Sequence, residues 1–249
     1  MVSVCMATYN GARYLREQID SILAQLSIDD ELIISDDGST DDTCNIIGGY
    51  DDPRIRLLRN RGKHGFSSNF GNALSHAKGE YVFLSDQDDV WIAGKYADVL
   101  AKLQQYDLVV TDSIVTDEHL NTVHPSFFAL YKSKAGLLNN IVRPAFYGSC
   151  MAFTRRILHL SLPLCPSLSV GYDQWIGMVA CVSGRVLFYD KPYLKYRRLS
   201  TSVTTVGSLW TRSKRPLYRK VWDRAVMCET IALFWFSYHF GAKRVYRKH

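Results

Sequence analysis

What most limits the fold of this chain is an alternation, kept up over its first 111 residues, between short apolar runs and longer windows of helical period. Val2-Ser3-Val4-Cys5-Met6-Ala7 reads as a buried strand ending at Thr8-Tyr9-Asn10-Gly11, where Asn-Gly signals a turn. Tyr14, Leu15, Ile19, Ile22, Leu23 and Leu26 recur at helical spacing, which places a helix over Ala12 to Leu26. The pair repeats. Glu31 to Ser35 is a strand, and a helix capped by Ser39 or Thr40 runs to about Tyr50. Ile55 to Arg59 and Phe66 to Ala77 form a third pair, Tyr81 to Leu84 and Ala93 to Gln105 a fourth, and Asp107 to Thr111 is a fifth strand. Such alternation implies an α/β fold, a mostly parallel sheet with helices on both faces.

Ligands of such sheets bind outside the carboxyl ends of the strands. Three polar clusters stand at those ends: Thr8-Tyr9-Asn10, Asp36-Asp37 and Asp86-Gln87-Asp88-Asp89. The last holds three carboxylates within four positions, and these repel one another unless a cation lies among them. A hard divalent ion with Asp oxygen ligands answers that need, and Mg2+ fills its remaining positions with water and substrate phosphates. A metal–diphosphate site is one reading of the cluster. A solvated acidic turn, with Asp89 as N-cap of the next helix, is the other. The gathering of all three clusters along one sheet edge favours the first.

The rest of the chain is less regular. Residues 113–140 read as loops, short strands and a short helix, and Ala145 to Phe153 as a strand. Gly171-Tyr172-Asp173-Gln174-Trp175 opens a helix to about Val182, and Arg185 to Tyr189 and Tyr193 to Arg197 read as two strands. A content of 47% hydrophobic and 22% charged residues fits a globular protein, and 249 residues suffice for one sizeable domain. The six cysteines form no CxxC pair, which argues against structural zinc and a disulfide framework and for a reducing, cytoplasmic setting. Met1 leads straight into the first strand, without the basic leader of a signal peptide. Charge is placed unevenly. From residue 209 onward ten Lys and Arg face only Asp223 and Glu229, a balance of +8, so with +6 overall residues 1–208 stand at −2.

Five stretches stand in an order and spacing that resembles the family 2 glycosyltransferases, with the GT-A fold. They are Thr8-Tyr9-Asn10-Gly11, Asp36-Asp37-Gly38-Ser39-Thr40-Asp41, Gly79-Glu80-Tyr81 leading into Ser85-Asp86-Gln87-Asp88-Asp89-Val90-Trp91, Tyr147-Gly148-Ser149-Cys150-Met151-Ala152-Phe153, and Tyr172-Asp173-Gln174-Trp175. The likeness covers roughly residues 1–200. The Asp-Gln-Asp-Asp-Val-Trp form looks most like bacterial enzymes of O-antigen lipopolysaccharide and other surface polysaccharides, including rhamnosyl-, glucosyl- and galactosyltransferases. The resemblance implies a GT-A domain over 1–208 with a Rossmann-like, mostly parallel sheet, its nucleotide-sugar half about 1–111 and its acceptor half about 112–208. It implies an inverting, metal-dependent transfer of a hexose or deoxyhexose from a UDP- or dTDP-sugar donor to a saccharide acceptor, lipid-linked or free. Thr8 and Tyr9 would line the nucleotide pocket, and Asp37, with Asp36 beside it, would hydrogen-bond the pyrimidine base. Asp86 would reach the ribose or a metal-bound water, Asp88 would ligate Mg2+ or Mn2+, and Asp173 would be the general base. Trp91 is read as a packing residue on the acceptor side, Trp175 as core or sugar-facing, and Asn69 and Asn72 as nucleotide contacts or exposed polar positions.

One departure stands out. Many relatives follow the last strand with Tyr-Arg-x-His, whereas Tyr196-Arg197-Arg198-Leu199-Ser200 has no His. Either Arg197 or Arg198 clamps the diphosphate, or the segment is flexible and the metal has one ligand fewer. In the tail, Leu217, Tyr218, Val221, Trp222, Ala225 and Val226 with Arg219, Lys220 and Arg224 read as a basic amphipathic helix over part of residues 209–249. Its expected partner is the anionic inner face of the cytoplasmic membrane, where a lipid-linked acceptor resides. The alternative is packing on the body with solvated charges. Nucleic acid is not an expected partner, since no binding module of that kind is present. Two other functions are weighed against the transferase. A nucleotidyltransferase would want a Gly-rich basic loop after the first strand, and a non-catalytic membrane scaffold would not keep Asp37, Asp86, Asp88 and Asp173 together. A dehydrogenase is excluded by the lack of GxGxxG.

Overall fold

Four parallel strands form one half of a nine-stranded sheet in the computed structural model, which describes residues 1–165, 167, 169–198 and 216–241. In chain order the elements are β1 (Val2–Thr8), α1 (Ala12–Leu23), β2 (Glu31–Asp36), α2 (Thr43–Gly48), β3 (Ile55–Arg59), α3 (Phe66–Ser75) and β4 (Tyr81–Asp86). Next come β5 (Val90–Trp91), α4 (Lys95–Leu103), β6 (Leu108–Thr116), β7 (Thr122–His124), α5 (Phe127–Tyr131) and α6 (Leu137–Val142). A 3-10 turn (Gly148–Cys150) then leads into β8 (Met151–Thr154), α7 (Arg155–Ser161), α8 (Tyr172–Ser183), β9 (Val186–Arg197) and α9 (Leu217–Phe240).

The sheet order is β3-β2-β1-β4-β8-β6-β9-β5, with β7 paired to β6. β1 to β4 are mutually parallel, β8 enters antiparallel between β4 and β6, and β6 and β9 pair in parallel. The alternating first half is therefore as the sequence implies, and the fold is the α/β GT-A type. The fifth strand differs in place: β6 is separated from β4 by β8. Strands buried on both faces read as continuous apolar runs, and Val4, Met6, Ile33, Phe83 and Val109 are all fully buried.

Several boundaries move for physical reasons. The helix expected from Ser39 or Thr40 starts only at Thr43, because Ser39 and Thr40 bond to Asp36 and Asn10 across the loop instead of capping. The expected strand at Ala145 begins at Met151, after the 3-10 turn. The two expected strands near the end are one, β9, whose register shifts where Pro192, lacking an N–H, faces Asp112. Asp89 caps nothing. α4 opens at Lys95 behind Gly94, whose φ of 88° suits glycine, and Asp89 points into the interior.

A second apolar cluster joins the last helix to the body. Val226, Met227, Ile231 and Phe234 of α9 pack on Trp175, Met178 and Val179 of α8. Trp175 is fully buried, donates its ring N–H to the Ser161 carbonyl at 2.8 Å and meets Phe234 edge-on, so it is core and not a sugar-facing surface. Removing the Phe234 ring leaves a cavity against Trp175 and is expected to cost about 3–5 kcal/mol. Urea unfolding of Phe234→Ala at equilibrium measures it; a change below 1 kcal/mol would mean that α9 is not seated on α8.

Candidate active site

The carboxyl ends of β1, β2 and β4 converge, and their loops are tied to one another by side chains. Gln87 grips the β1–α1 loop at both poles of one residue: its Oε1 accepts from Tyr9 N at 2.9 Å and its Nε2 donates to Tyr9 O at 3.1 Å. Asn10 takes a left-handed conformation, φ 49°, which Asn tolerates. It donates its backbone N–H to Ser39 Oγ at 2.9 Å and accepts from Thr40 N at 2.8 Å. Gly11 N and Ala12 N donate to Thr43 Oγ1 and Asp41 Oδ2. The three polar clusters of the sequence are thus one structure.

Within that structure the expected nucleotide residues divide. Tyr9 is half-exposed and presents its ring on the surface of the loop. Asp37 is largely buried, and its carboxylate accepts from Asn60 Nδ2 at 2.6 Å and Gly65 N at 2.8 Å, with the exposed His64 ring 3.5 Å away. Asp36 is turned into its own loop: Gly38 N, Ser39 N and Ser39 Oγ all donate to it, and these bonds hold its carboxyl below the ordinary range against the opposing effect of burial. Thr8 is buried, and its hydroxyl contacts Asp36 and Ser35 O. Asp36 and Thr8 therefore hold the wall from inside, Asp37 lies largely buried beside Asn60 and Gly65, and Tyr9 stands at the surface. Asn69 and Asn72 are not free surface positions either. Asn69 donates to Thr8 O at 3.0 Å and Asn72 to Ser35 Oγ at 2.8 Å, which fastens α3 to the ends of β1 and β2.

Beyond Asp86 the chain turns so that three carboxylates crowd together. Burial pushes all three above the ordinary carboxylate range, and the neighbouring charges of Asp88 and Asp173 push Asp86 further. Asp89 is fully buried; Oδ1 accepts from Arg197 N at 3.0 Å and Oδ2 has no protein donor. Two cations frame the cluster, and neither role was assigned from the sequence. Lys95 is 1% exposed, with its ammonium 2.8 Å from Ser149 O, 4.4 Å above the Trp91 ring and within the field of Asp86 and Asp89. Burial lowers its pKa to about 8. Trp91 is buried against Phe83, a packing residue as expected. Arg197 is equally enclosed: Nε donates to Asp88 O at 2.8 Å, Nη1 to Glu118 O and Nη2 to Glu17 Oε2, and the guanidinium lies 4.3 Å over the Tyr14 ring. That corrects the expectation of a diphosphate clamp at Arg197, since its donors are committed to the protein. Arg198 N bonds Thr116 O, and the remainder of that expected motif lies outside the described residues.

Asp173 arrives from the later part of the chain, on α8. It sits in the first turn of α8, behind Gly171 as N-cap, so it is not itself the cap. Gln174 N donates to it at 2.7 Å, and the nearby Gly148 N–H favours its ionised form. Burial raises its pKa to about 6. Gly148 admits this arrangement because a Cβ there would overlap the Tyr172 hydroxyl. Ser149, next in the turn, lies beside both Asp86 and Asp89. The geometry therefore brings Asp86 at the end of β4, Asp88 and Asp89 in the turn after it, and Asp173 of α8 near enough for the charges of Asp88 and Asp173 to act on Asp86, from elements far apart in sequence.

Among the described residues no three acidic, His or Cys side chains enclose an ion by themselves. The donor set nevertheless suits a divalent ion shared with a diphosphate, which uses one or two carboxylates and leaves the other positions to phosphate and water. Asp88, with Asp86 beside it, would fit that need, in a cluster of carboxylates raised in pKa by burial and by one another.

Comparisons with known proteins agree with this geometry. The model of glycosyl transferase family 2 matches residues 3–160. The chain belongs to that family. Among curated relatives it is 38% identical over 123 residues to the putative glycosyltransferase EpsE of Bacillus subtilis, covering 47% of this chain and 44% of that protein. It is 36% identical over 95 residues to an Escherichia coli enzyme, UDP-Glc:alpha-D-GlcNAc-diphosphoundecaprenol beta-1,3-glucosyltransferase WfgD, covering 38% of each. The matched region is under half of each of these relatives. The structure of S. aureus TarS 1–349 in complex with UDP-GlcNAc superposes with a TM-score of 0.68 at 20% identity, covering 98% of this chain and 73% of that one. A mannosyltransferase from Pyrobaculum calidifontis in complex with GDP-Man and Mn2+ superposes with a TM-score of 0.56 at 22% identity, covering 98% and 65%. At these identities the likeness is one of fold, GT-A. The family match leaves the nucleotidyltransferase alternative without support.

Lys95 gives the clearest test of the pocket's electrostatics. Lys95→Met keeps the length and packing but strips the interior cation from Asp86 and Asp89 and the donor from Ser149 O. A loss of about 1–3 kcal/mol is expected, because the buried Ser149 carbonyl is left without its donor. Thermal or urea denaturation checks it, and an unchanged stability would mean that the cluster does not depend on Lys95.

Proposed function

We propose that this family 2 enzyme transfers a hexose or deoxyhexose from a UDP- or dTDP-sugar to a saccharide acceptor by a single inverting displacement, in the assembly of a surface polysaccharide such as O-antigen. The observation that carries the reading is Asp173, held in the first turn of α8 within the field of the Asp86 carboxylate. Asp173 comes from α8 and the Asp86–Asp88 pair from the end of β4, near enough for their charges to act on one another. The named activity of the Escherichia coli relative supports a lipid-diphosphate-linked acceptor, and such an acceptor places the enzyme at the inner face of the cytoplasmic membrane.

In this reading Tyr9 borders the nucleotide and Asp37 accepts a hydrogen bond from the base N–H, using lone pairs left open beside Asn60 and Gly65. Asp36 and Thr8 keep Asp37 in place. Asp88, with Asp86 beside it, holds Mg2+ or Mn2+, whose chemistry is to neutralise the leaving diphosphate. Asp173 takes the proton from the acceptor hydroxyl as that oxygen attacks the anomeric carbon from the face opposite the diphosphate. A base with a pKa near 6 is mostly ionised at neutral pH and still basic enough for the task.

The test is transfer with a panel of nucleotide sugars, Mg2+ or Mn2+ and an undecaprenyl-diphosphate-linked sugar, for the protein and for Asp173→Asn. Product is expected from the parent protein, a fall of about 10²–10⁴-fold in turnover from the variant, and tight donor binding in both. Below pH about 6 the parent rate is expected to drop with protonation of Asp173. The same shift has a stability sign. A carboxyl raised from 3.8 to about 6 by burial stabilises the fold only when protonated, so its contribution is lost as pH rises through 6. Asp173→Asn is therefore expected to melt higher than the parent at pH 8. No transfer across the panel, or a variant as active as the parent, would overturn the proposal.

A further inference from the structure

We propose that the outward stripe of α9, with the neighbouring end of α6, lies flat on an anionic lipid surface and sets the height of the acceptor pocket above it. This rests on the lipid-linked acceptor of the proposed function. The sequence implied a helix with an apolar face and a basic face, and the structure gives a different object. The inner stripe, Val226, Met227, Ile231 and Phe234, is used against α8. At about 100° per residue, the outer stripe is formed by Tyr218, Val221, Trp222, Phe236 and Phe240, which are 68%, 61%, 58%, 56% and 70% exposed. Glu229 is the one formally charged residue of α9 in that arc; Arg219 and Arg224 fall to its two sides, and Lys220 to the side of the inner stripe. A helix apolar on both faces is ordinarily covered on both.

Lipid fits the outer face better than a second protein surface. Bulky aromatics flanked by Arg and Lys belong to the headgroup zone of a membrane, and no helix among the described residues is long and apolar enough to cross one. Arg224 Nη2 reaches Val142 O at 3.4 Å, which fastens α6 alongside the first half of α9. There Leu138 and Val142 are 79% and 69% exposed, and Arg143 follows them. The same charges that suit anionic headgroups would oppose one another across a contact between two copies. The surface is also coupled to the chemistry. Gln174, next to Asp173, donates to Asn140 O in α6 at 3.0 Å and approaches Met227 Sδ of α9 at 3.9 Å. A lipid surface that fixes α6 and α9 fixes the base with them.

The experiment compares the full chain with the triple variant Val221→Gln, Phe236→Gln, Phe240→Gln, whose changes all point outward and whose folding is checked by circular dichroism and melting. Flotation with vesicles of phosphatidylglycerol and of phosphatidylcholine is measured beside transfer to an acceptor with a short, water-soluble lipid and to the same sugar embedded in vesicles. The parent protein is expected to float at least tenfold better with the anionic vesicles, weakening with salt. The variant is expected to lose flotation and about tenfold in transfer to the embedded acceptor, with unchanged transfer to the soluble one. A parent that does not float, a variant that floats equally well, or a parent dimer that the variant dissolves would overturn the proposal. Flotation lost in the variant with no transfer to either acceptor by the parent would uphold the docking surface and sink the functional reading instead.

Discussion

The structure turns on the burial of negative charge at one point, the end of β4. Asp86, Asp88 and Asp89 follow one another where the strand leaves the sheet, and each is pushed above the ordinary carboxylate range by the loss of water. Such a concentration persists only with cations to balance it. Lys95 lies beneath it, and Arg197 closes it from the far edge of the sheet, binding the Asp88 carbonyl, the Asp89 carboxylate through its backbone N–H, and Glu17. The interior cations and the pocket's own carboxylates remain unequal in number, which leaves room for the charge that a nucleotide-bound metal brings.

That constraint organises elements that look unrelated in the chain. β9 is placed so that Arg197 reaches the acidic loop; α4 starts where Lys95 can turn inward; the Gly148–Cys150 turn lies where Lys95 holds the Ser149 carbonyl and Gly148 serves Asp173. The parallel first half of the chain and the later elements are thereby tied to each other at this point. The outer helix continues the chain of contacts, since α9 seats on α8, the helix that carries Asp173.

How far the sequence alone reveals this depends on whether an interaction is local. The strand–helix alternation of β1 to β4 is read from periodicity because each strand is apolar on both faces and each turn carries its own signal. The carboxylates were legible as a crowd, and Asp173 through its family motif. Lys95 and Arg197 were not, since a lone Lys or Arg is ordinarily exposed and only tertiary structure shows these two buried. The role of Gln87 is hidden for the same reason: its amide pairs with Tyr9, 78 positions earlier. Asp36 reads as a binding residue beside Asp37, and Thr8 from the motif it opens; the bonds both make run inward. The tail helix holds a feature its basic residues do not suggest: besides the inner apolar stripe it carries exposed aromatics on its outer side.

The central claim is one in-line displacement with Asp173 as base and the diphosphate neutralised by a divalent ion that Asp88, with Asp86 beside it, would hold. The anomeric configuration of the product tests it most directly. When the donor is a nucleotide sugar of α configuration, the proton NMR signal of the new glycosidic linkage is predicted to be that of a β-glycoside. An α-glycoside as the initial product would contradict the account, since it would require either two displacements or attack from the face on which the diphosphate leaves.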